Sequence, residues 1–255
     1  MNLAQHSAVY NMLSLGIASM LFTSLFLWFA RERVLPKYRM AVMVSATVTS
    51  IAAYHYFRMF DSFNEAYTVG GTVEAGFAGY NVGYRYVDWF LTVPLLLVEL
   101  VAVMGLSRKV QSSLLTRLVP AAALMIALGF PGDTKMGGLS PDMWGLLSTI
   151  PFLYILYVLF IEIGKSLSSQ SEKVRSLLVR ARILLIATWG VYPITYILAM
   201  GETGAPSFDA VVAREIGYSI ADILAKCLFG LIIFSIARIK SAEDSKEFAA
   251  SEFKD

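Results

Sequence analysis

Two short runs of this 255-residue chain hold ionisable side chains at spacings that let them exchange protons. The first reads Tyr84-Arg85-Tyr86-Val87-Asp88-Trp89-Phe90-Leu91-Thr92-Val93-Pro94-Leu95-Leu96-Leu97-Val98-Glu99. Arg85 and Asp88 are three apart and Asp88 and Thr92 four apart, so a helix sets them on one face. Asp88 and Glu99 are eleven apart, close to three turns, which stacks two carboxylates about 16 Å apart along one side. That is the layout of a proton relay. The second run, Ala221-Asp222-Ile223-Leu224-Ala225-Lys226-Cys227-Leu228-Phe229-Gly230, puts Asp222 and Lys226 on one face. A lysine this deep in an apolar stretch must neutralise, pair or react, and a desolvated amine forms a Schiff base with an aldehyde. The resulting cation needs anions, which Asp222 on the same helix and Asp88 on another can supply. Each feature has a blander reading: a structural Lys226–Asp222 pair, an Arg85–Asp88 pair within one helix, or a Glu99 close to the membrane surface, nine residues before Arg108.

The elements that carry these runs follow from hydropathy. The chain is 57% hydrophobic and 16% charged, with mean hydropathy +0.63, where soluble domains run about 25% charged. Lipid is therefore the expected solvent. The net charge of +2 gives no footprint for nucleic acid. A single cysteine, Cys227, and two histidines, His6 and His55, leave no disulfide and no Cys- or His-rich metal centre. No basic residue precedes Arg31, so the first apolar stretch reads as a retained helix, not a signal peptide.

Seven stretches approach the roughly 20 residues a membrane span needs, near 8–30, 38–60, 84–106, 113–130, 143–163, 174–200 and 211–239. The expected fold is all-α: one seven-transmembrane-helix domain over 1–255. Arg31, Arg33, Lys37 and Arg39 fill the first connection; Arg108, Lys109 and Arg117 surround the third. Lys165, Lys173, Arg175, Arg180 and Arg182 surround the fifth, and Arg238 and Lys240 follow the last span. The alternate connections are acidic or mixed, so the positive-inside rule puts the N-terminus outside and the C-terminus in the cytoplasm. The long Gly-rich second connection is expected to form a small hairpin on the outer face. The polar stretch 241–255 is expected to be a disordered cytoplasmic tail.

With these residues in view, the whole chain resembles the microbial (type 1) rhodopsins. Arg-Tyr-x-Asp-Trp-x-x-Thr-x-Pro at Arg85–Pro94, Asp-x-x-x-Lys at Asp222–Lys226 and Trp189-Gly190-Val191-Tyr192-Pro193 carry the resemblance. His55-Tyr56 and Glu99 point to the proteorhodopsin and xanthorhodopsin branch. The resemblance implies a light-driven outward proton pump in the cell (inner) membrane, with all-trans retinal on Lys226 as a protonated Schiff base. Asp88 would be counter-ion and proton acceptor, Asp222 the second counter-ion and Glu99 the cytoplasmic proton donor, protonated at rest among apolar neighbours. Arg85, Thr92 and His55 would tune the acceptor; for His55 a hydrogen-bonded core histidine is the equal alternative. Trp89, Trp189 and Tyr192 would clamp the polyene, with Leu96, Met125, Gly129, Ser148, Thr149, Phe152 and Tyr196 lining the pocket. Gly145 is either a window for a carotenoid antenna, as in xanthorhodopsin-like proteins, or a helix-packing contact. The resemblance also implies a homo-oligomer, trimer or pentamer, in lipid.

Some features depart from the pattern or exclude neighbours. Glu202, Arg214 and Glu215 lie where an outward release group belongs, but none can be assigned to it. A light sensor with a transducer is disfavoured by the carboxylate at Glu99. Chloride pumps lack an aspartate at the position of Asp88, and sodium pumps carry Asn and Gln where this chain has Asp88 and Glu99. A G-protein-coupled receptor is excluded by the missing Asp-Arg-Tyr and Asn-Pro-x-x-Tyr signatures, and no hydrolytic or redox motif suggests an enzyme. Lys226→Ala is expected to abolish the pigment formed with retinal; a coloured variant without added free amine would remove the Schiff base from the argument.

Overall fold

The computed structural model describes residues 1–134, 136, 138–200 and 207–252, without the side chains of 73, 74, 77 and 196–200. Its described residues form helices α1 (Leu3–Ala30), α2 (Pro36–Ala66), α3 (Val73–Gly79), α4 (Gly83–Val103), α5 (Arg108–Asp133) and α6 (Pro141–Tyr157). There follow the short α7 (Ile163–Lys165), α8 (Glu172–Trp189), α9 (Val191–Met200), α10 (Phe208–Asp222), α11 (Phe229–Asp244) and α12 (Lys246–Glu252). Among the described residues, seven helical stretches are long and apolar enough to cross a membrane: Leu3–Arg33, Pro36–Ala66, Gly83–Val103, Arg108–Asp133, Pro141–Ser169, Glu172–Thr195 and Phe208–Asp244. They pack in a ring, α1 on α2 and α10, α2 on α4 and α11, α4 on α5, α5 on α6, α6 on α9, and α8 on α11. Large apolar side chains point outward all round, with Phe29 80% and Phe22 67% exposed, while charge is buried inside. That inversion suits a chain solvated by lipid.

Two spans contain π-helical turns. Val158–Glu162 separates α6 from α7, and Ile223–Leu228, which includes Lys226, separates α10 from α11. Such turns are rare and cluster at functional sites. In α4, Pro94 removes one amide donor in mid-span, so the Phe90 carbonyl loses its usual helical partner.

The structure corrects three expectations. The second connection forms no hairpin: Gly70 turns the chain at φ +82°, and Thr72 caps the start of α3. Glycine is needed again at Gly76, where a Cβ would lie 2.2 Å from the buried Tyr67 ring, so α3 lies flat on the end of α2. The described part of the stretch after 240 is mainly helical rather than disordered: α11 runs to Asp244, and Glu252 of α12 meets Arg33 at 3.0 Å and Arg238 at 3.3 Å. The fourth span begins and ends beyond 113–130, because helical hydrogen bonding continues through the polar turn at Arg108 and past Pro131.

Gly16 of α1 faces the fully buried Tyr56 of α2, and a Cβ there would lie 2.4 Å from the ring. Gly16→Ala is expected to lower stability by about 1–3 kcal/mol through overpacking, read as a fall in the thermal unfolding midpoint of the purified protein. An unchanged midpoint would mean that α1 can shift freely on α2.

Candidate functional site

The two runs singled out by spacing meet in the middle of the bundle. Lys226 Nζ lies 2.5 Å from Asp88 Oδ2 and 2.8 Å from Asp222 Oδ1, and all three residues are at most 1% exposed. The ammonium is thus shared between α4 and the π-helical turn after α10. Lys226–Asp222 is an ion pair, as its blander reading has it, but with a second carboxylate on the same nitrogen. Arg85 is not spent on Asp88 in its own helix: Nη2 reaches Glu215 at 2.6 Å and Nη1 reaches Asp222 at 3.4 Å. Glu215 also accepts from Tyr80 Oη at 2.9 Å and has Arg214 Nε at 3.4 Å. Burial and the Glu215 carboxylate push the Tyr80 hydroxyl above its ordinary pKa, so it stays a donor. Close ion pairs among the described residues thus join three cations, Lys226, Arg85 and Arg214, to three carboxylates, Asp88, Asp222 and Glu215, with Asp133 near Arg214 as a further acid.

The two carboxylates on Lys226 are unequally served. Asp222 takes donors on both oxygens: Lys226, Tyr192 Oη at 2.8 Å and Trp89 Nε1 at 3.2 Å on Oδ1, Tyr56 Oη at 2.9 Å and Arg85 on Oδ2. Its acceptor sites are filled. Asp88 Oδ2 has Lys226, but its buried Oδ1 has no hydrogen-bond partner. Thr92 Oγ1 donates to the Asp88 backbone carbonyl at 2.8 Å, fixing the helix beside the acid rather than serving its carboxylate. His55 Nδ1 is 3.9 Å from Asp88 Oδ1 and 3.0 Å from the Ile51 carbonyl. The ring is therefore bonded within α2 and stands next to Asp88 beyond hydrogen-bond reach.

Glu99 is fully buried, not at a surface. Its Oε2 is hydrogen-bonded to Ser45 Oγ of α2, and its Oε1 has no partner. Ser45 Oγ also lies 3.2 Å from the Ala41 carbonyl, so its hydroxyl has a second acceptor. Among the described residues Glu99 has no ion-pair partner. Sequence reasoning missed Ser45, and Gly230 brings α11 against it: a Cβ on Gly230 would lie 3.3 Å from Ser45 Cβ. It left Glu215 unassigned, though Glu215 and Asp222 are seven apart and share a face of α10.

Beside the ion cluster is a cavity of about 460 Å³, a size that suits a small-molecule site. Trp89, Met125, Gly129, Ser148, Thr149, Phe152, Trp189 and Tyr192 line it, together with Tyr86, Val93, Pro193 and Tyr218. Trp89 and Tyr192, whose ring centroids are 4.7 Å apart, form its inner wall and both donate to Asp222. Leu96 is buried in the core seven residues beyond Trp89, outside the residues that line this cavity. The Tyr196 side chain lies outside the described residues, as does Glu202. Gly145, Asp142 and Leu146 of α6 also line the cavity, and Leu146 is 58% exposed.

Comparison with known proteins agrees with this geometry. The family model for bacteriorhodopsin-like proteins matches residues 7–240. A green-light absorbing proteorhodopsin of Gamma-proteobacterium EBAC31A08 is 30% identical over 223 residues, 86% of this chain and 82% of the relative. The crystal structure of xanthorhodopsin, described as a light-driven ion pump with dual chromophore, superposes with TM-score 0.87 at 44% identity, covering 96% of this chain and 97% of that one. A thermophilic rhodopsin superposes with TM-score 0.86 at 40% identity, covering 96% and 98%. With seven spans, a lysine held by two aspartates and a family match over most of its length, the chain belongs to the bacteriorhodopsin-like family, the microbial rhodopsins.

Proposed function

We propose that this protein is a light-driven outward proton pump of the cell (inner) membrane, carrying all-trans retinal on Lys226 as a protonated Schiff base. The observation that carries the reading is the unequal service of the two carboxylates on Lys226, one saturated and one with an open oxygen. The residues present fit the chromophore. The cavity is walled mainly by aromatic and aliphatic side chains, and its inner wall, Trp89 and Tyr192, is bonded to the partner of Lys226. Retinal supplies the absorption of light and an isomerisation at the end joined to the lysine.

The chain's own groups then have distinct tasks. Asp222, with its donors in place, remains the fixed counter-ion. Asp88, 2.5 Å from the lysine nitrogen and under-supplied with donors, takes that nitrogen's proton. Neutralising Asp88 leaves Arg85 balanced mainly by Asp222 and Glu215, which draws its charge toward the outer half of the bundle. Glu99 returns a proton from the other side. While Glu99 is protonated, its O–H donates to Ser45, which donates to the Ala41 carbonyl; once Glu99 ionises, the Ser45 hydroxyl turns to donate to it. The basic connections put the Glu99 side in the cytoplasm and the N-terminus outside, so transport is outward. Oligomers of three or five copies in lipid, with no transducer, complete this reading.

A carotenoid antenna belongs to the same proposal. The cavity reaches Gly145 and the exposed Leu146, which would bring an outer chromophore beside the inner one, and xanthorhodopsin's description as a dual-chromophore pump supports it.

The experiment is the external pH of unbuffered cells that express the protein with retinal, under a light pulse. Acidification abolished by a protonophore is expected. Asp88→Asn should keep a red-shifted pigment without transport, and Glu99→Gln should slow only the late recovery of absorbance. A coloured protein with no pH change would replace the pump with a sensor.

A further inference from the structure

On the reading just given, Glu99 is refilled from the end of the bundle where α2 begins and α11 ends. Several carboxylates at that end are committed elsewhere. Glu252 sits between Arg33 and Arg238, Glu162 takes two bonds from Arg117, and Glu243 accepts from Ser171 at 2.6 Å. Asp244 differs because its partner reaches inside. Its Oδ2 accepts from Tyr38 Oη at 2.5 Å, and Lys37 Nζ lies 2.7 Å away. The Asp244 side chain is 35% exposed, whereas Tyr38 is 4% exposed and packs in the main apolar core. The contact spans the boundary between water and interior.

Tyr38 also points the way to Glu99. It precedes Ser45 by seven residues, two turns of α2, so the two residues share a face with their Cα atoms about 10 Å apart along the axis. Ser45 holds Glu99. Between the two levels Ala41 and Val42 are buried in the same core as Leu100, Val103 and Ala237, a short dry plug. The other groups facing Asp244 are Lys37 from α2 and Lys240 and Glu243 from its own helix. From the turn before α8, Gln170 is uncharged and takes a bond from Lys240 Nζ at 2.7 Å. Lys37 and Lys240 lie 5.2 Å and 5.6 Å from the Tyr38 ring centroid, which fixes the tyrosine over the plug.

We propose that Asp244 is the proton-entry group of this pump, with Tyr38 as its positioning residue. The Asp244 carboxylate binds a proton from cytoplasmic water. As the plug hydrates, that proton passes to the ionised Glu99 carboxylate, and Asp244 is left ionised for the next cycle. No other co-reactant is needed.

The inference rests on the pumping reading, and its test keeps the two apart. The full-length protein with retinal, in liposomes, is followed by flash-induced absorbance and a pH-indicating dye from mildly acidic to alkaline pH. A wild type that moves no protons in light would overturn the pump and this inference with it. With a pumping wild type, Asp244→Asn is expected to slow the late recovery on the order of 100-fold at alkaline pH, the loss of one proton-transfer group, and much less at acidic pH. The early acceptor phase should be unchanged, and Asp244→Glu should restore the wild-type profile. Tyr38→Phe keeps the ring and the Lys37–Asp244 bridge, so it tests the same link if Asp244→Asn folds poorly; a smaller slowing with the same pH dependence is expected. Glu172→Gln, an exposed carboxylate at the same end, should behave as wild type. A wild-type pH profile in Asp244→Asn, or equal slowing at every pH, would overturn the assignment of Asp244.

Discussion

A lysine ammonium that touches two aspartates in a dry interior is the constraint on which the rest of the molecule depends. Isolated charges do not persist in such a place, and a partner removed leaves an uncompensated ion costing about 3–5 kcal/mol. The cluster therefore has to be complete: Lys226, Arg85 and Arg214 against Asp88, Asp222 and Glu215. It draws on α4, α10 and the π-helical turn, with Tyr56 and Tyr80 adding hydroxyls from α2 and the connection before α4. Close packing of those elements is the means of keeping water from competing for the same hydrogen bonds. Gly16 lets α1 close on the Tyr56 ring, and Gly230 lets α11 close on Ser45.

The same constraint separates the roles of like residues. Asp88 and Asp222 are both aspartates on one ammonium, yet one is surrounded by donors and the other keeps an open oxygen. Glu99, with one hydroxyl neighbour and no cation among the described residues, stands in a third environment. Aromatic residues do double duty. Trp89 and Tyr192 wall the cavity with their rings and serve Asp222 with their polar tips, so the shape of the cavity and the charge of the counter-ion are coupled.

Much of this was legible in the sequence because it is written in local spacing. Helix periodicity paired Asp222 with Lys226 and stacked Asp88 over Glu99, and seven apolar stretches gave the spans. What escaped depends on contacts between segments far apart in the chain. Ser45 is one of many small polar residues in α2, and only the approach of α4 and α11 singles it out. The sequence leaves Glu215 unassigned beside Glu202 and Arg214 in the region of an outward release group, and only the fold turns Arg85 toward it. The Gly-rich connection looked like a hairpin because glycines mark turns of every kind. The Tyr67 ring beneath Gly76, which favours a short helix, has no local signature. The stretch after 240 is polar in composition, yet its acids find Arg33, Arg238 and Lys37 on other segments.

The π-helical turn at Ile223–Leu228 also divides the last span into two helices with separate phases. A single residue gained or lost in an α-helix rotates everything beyond it by roughly 100°. By absorbing such an offset at the lysine, the turn frees the outer half to present Glu215, Tyr218 and Asp222 inward while the inner half independently presents Ile233, Ala237 and Ser241. A change of one residue in length within 223–228 would unlock that phase relation at once.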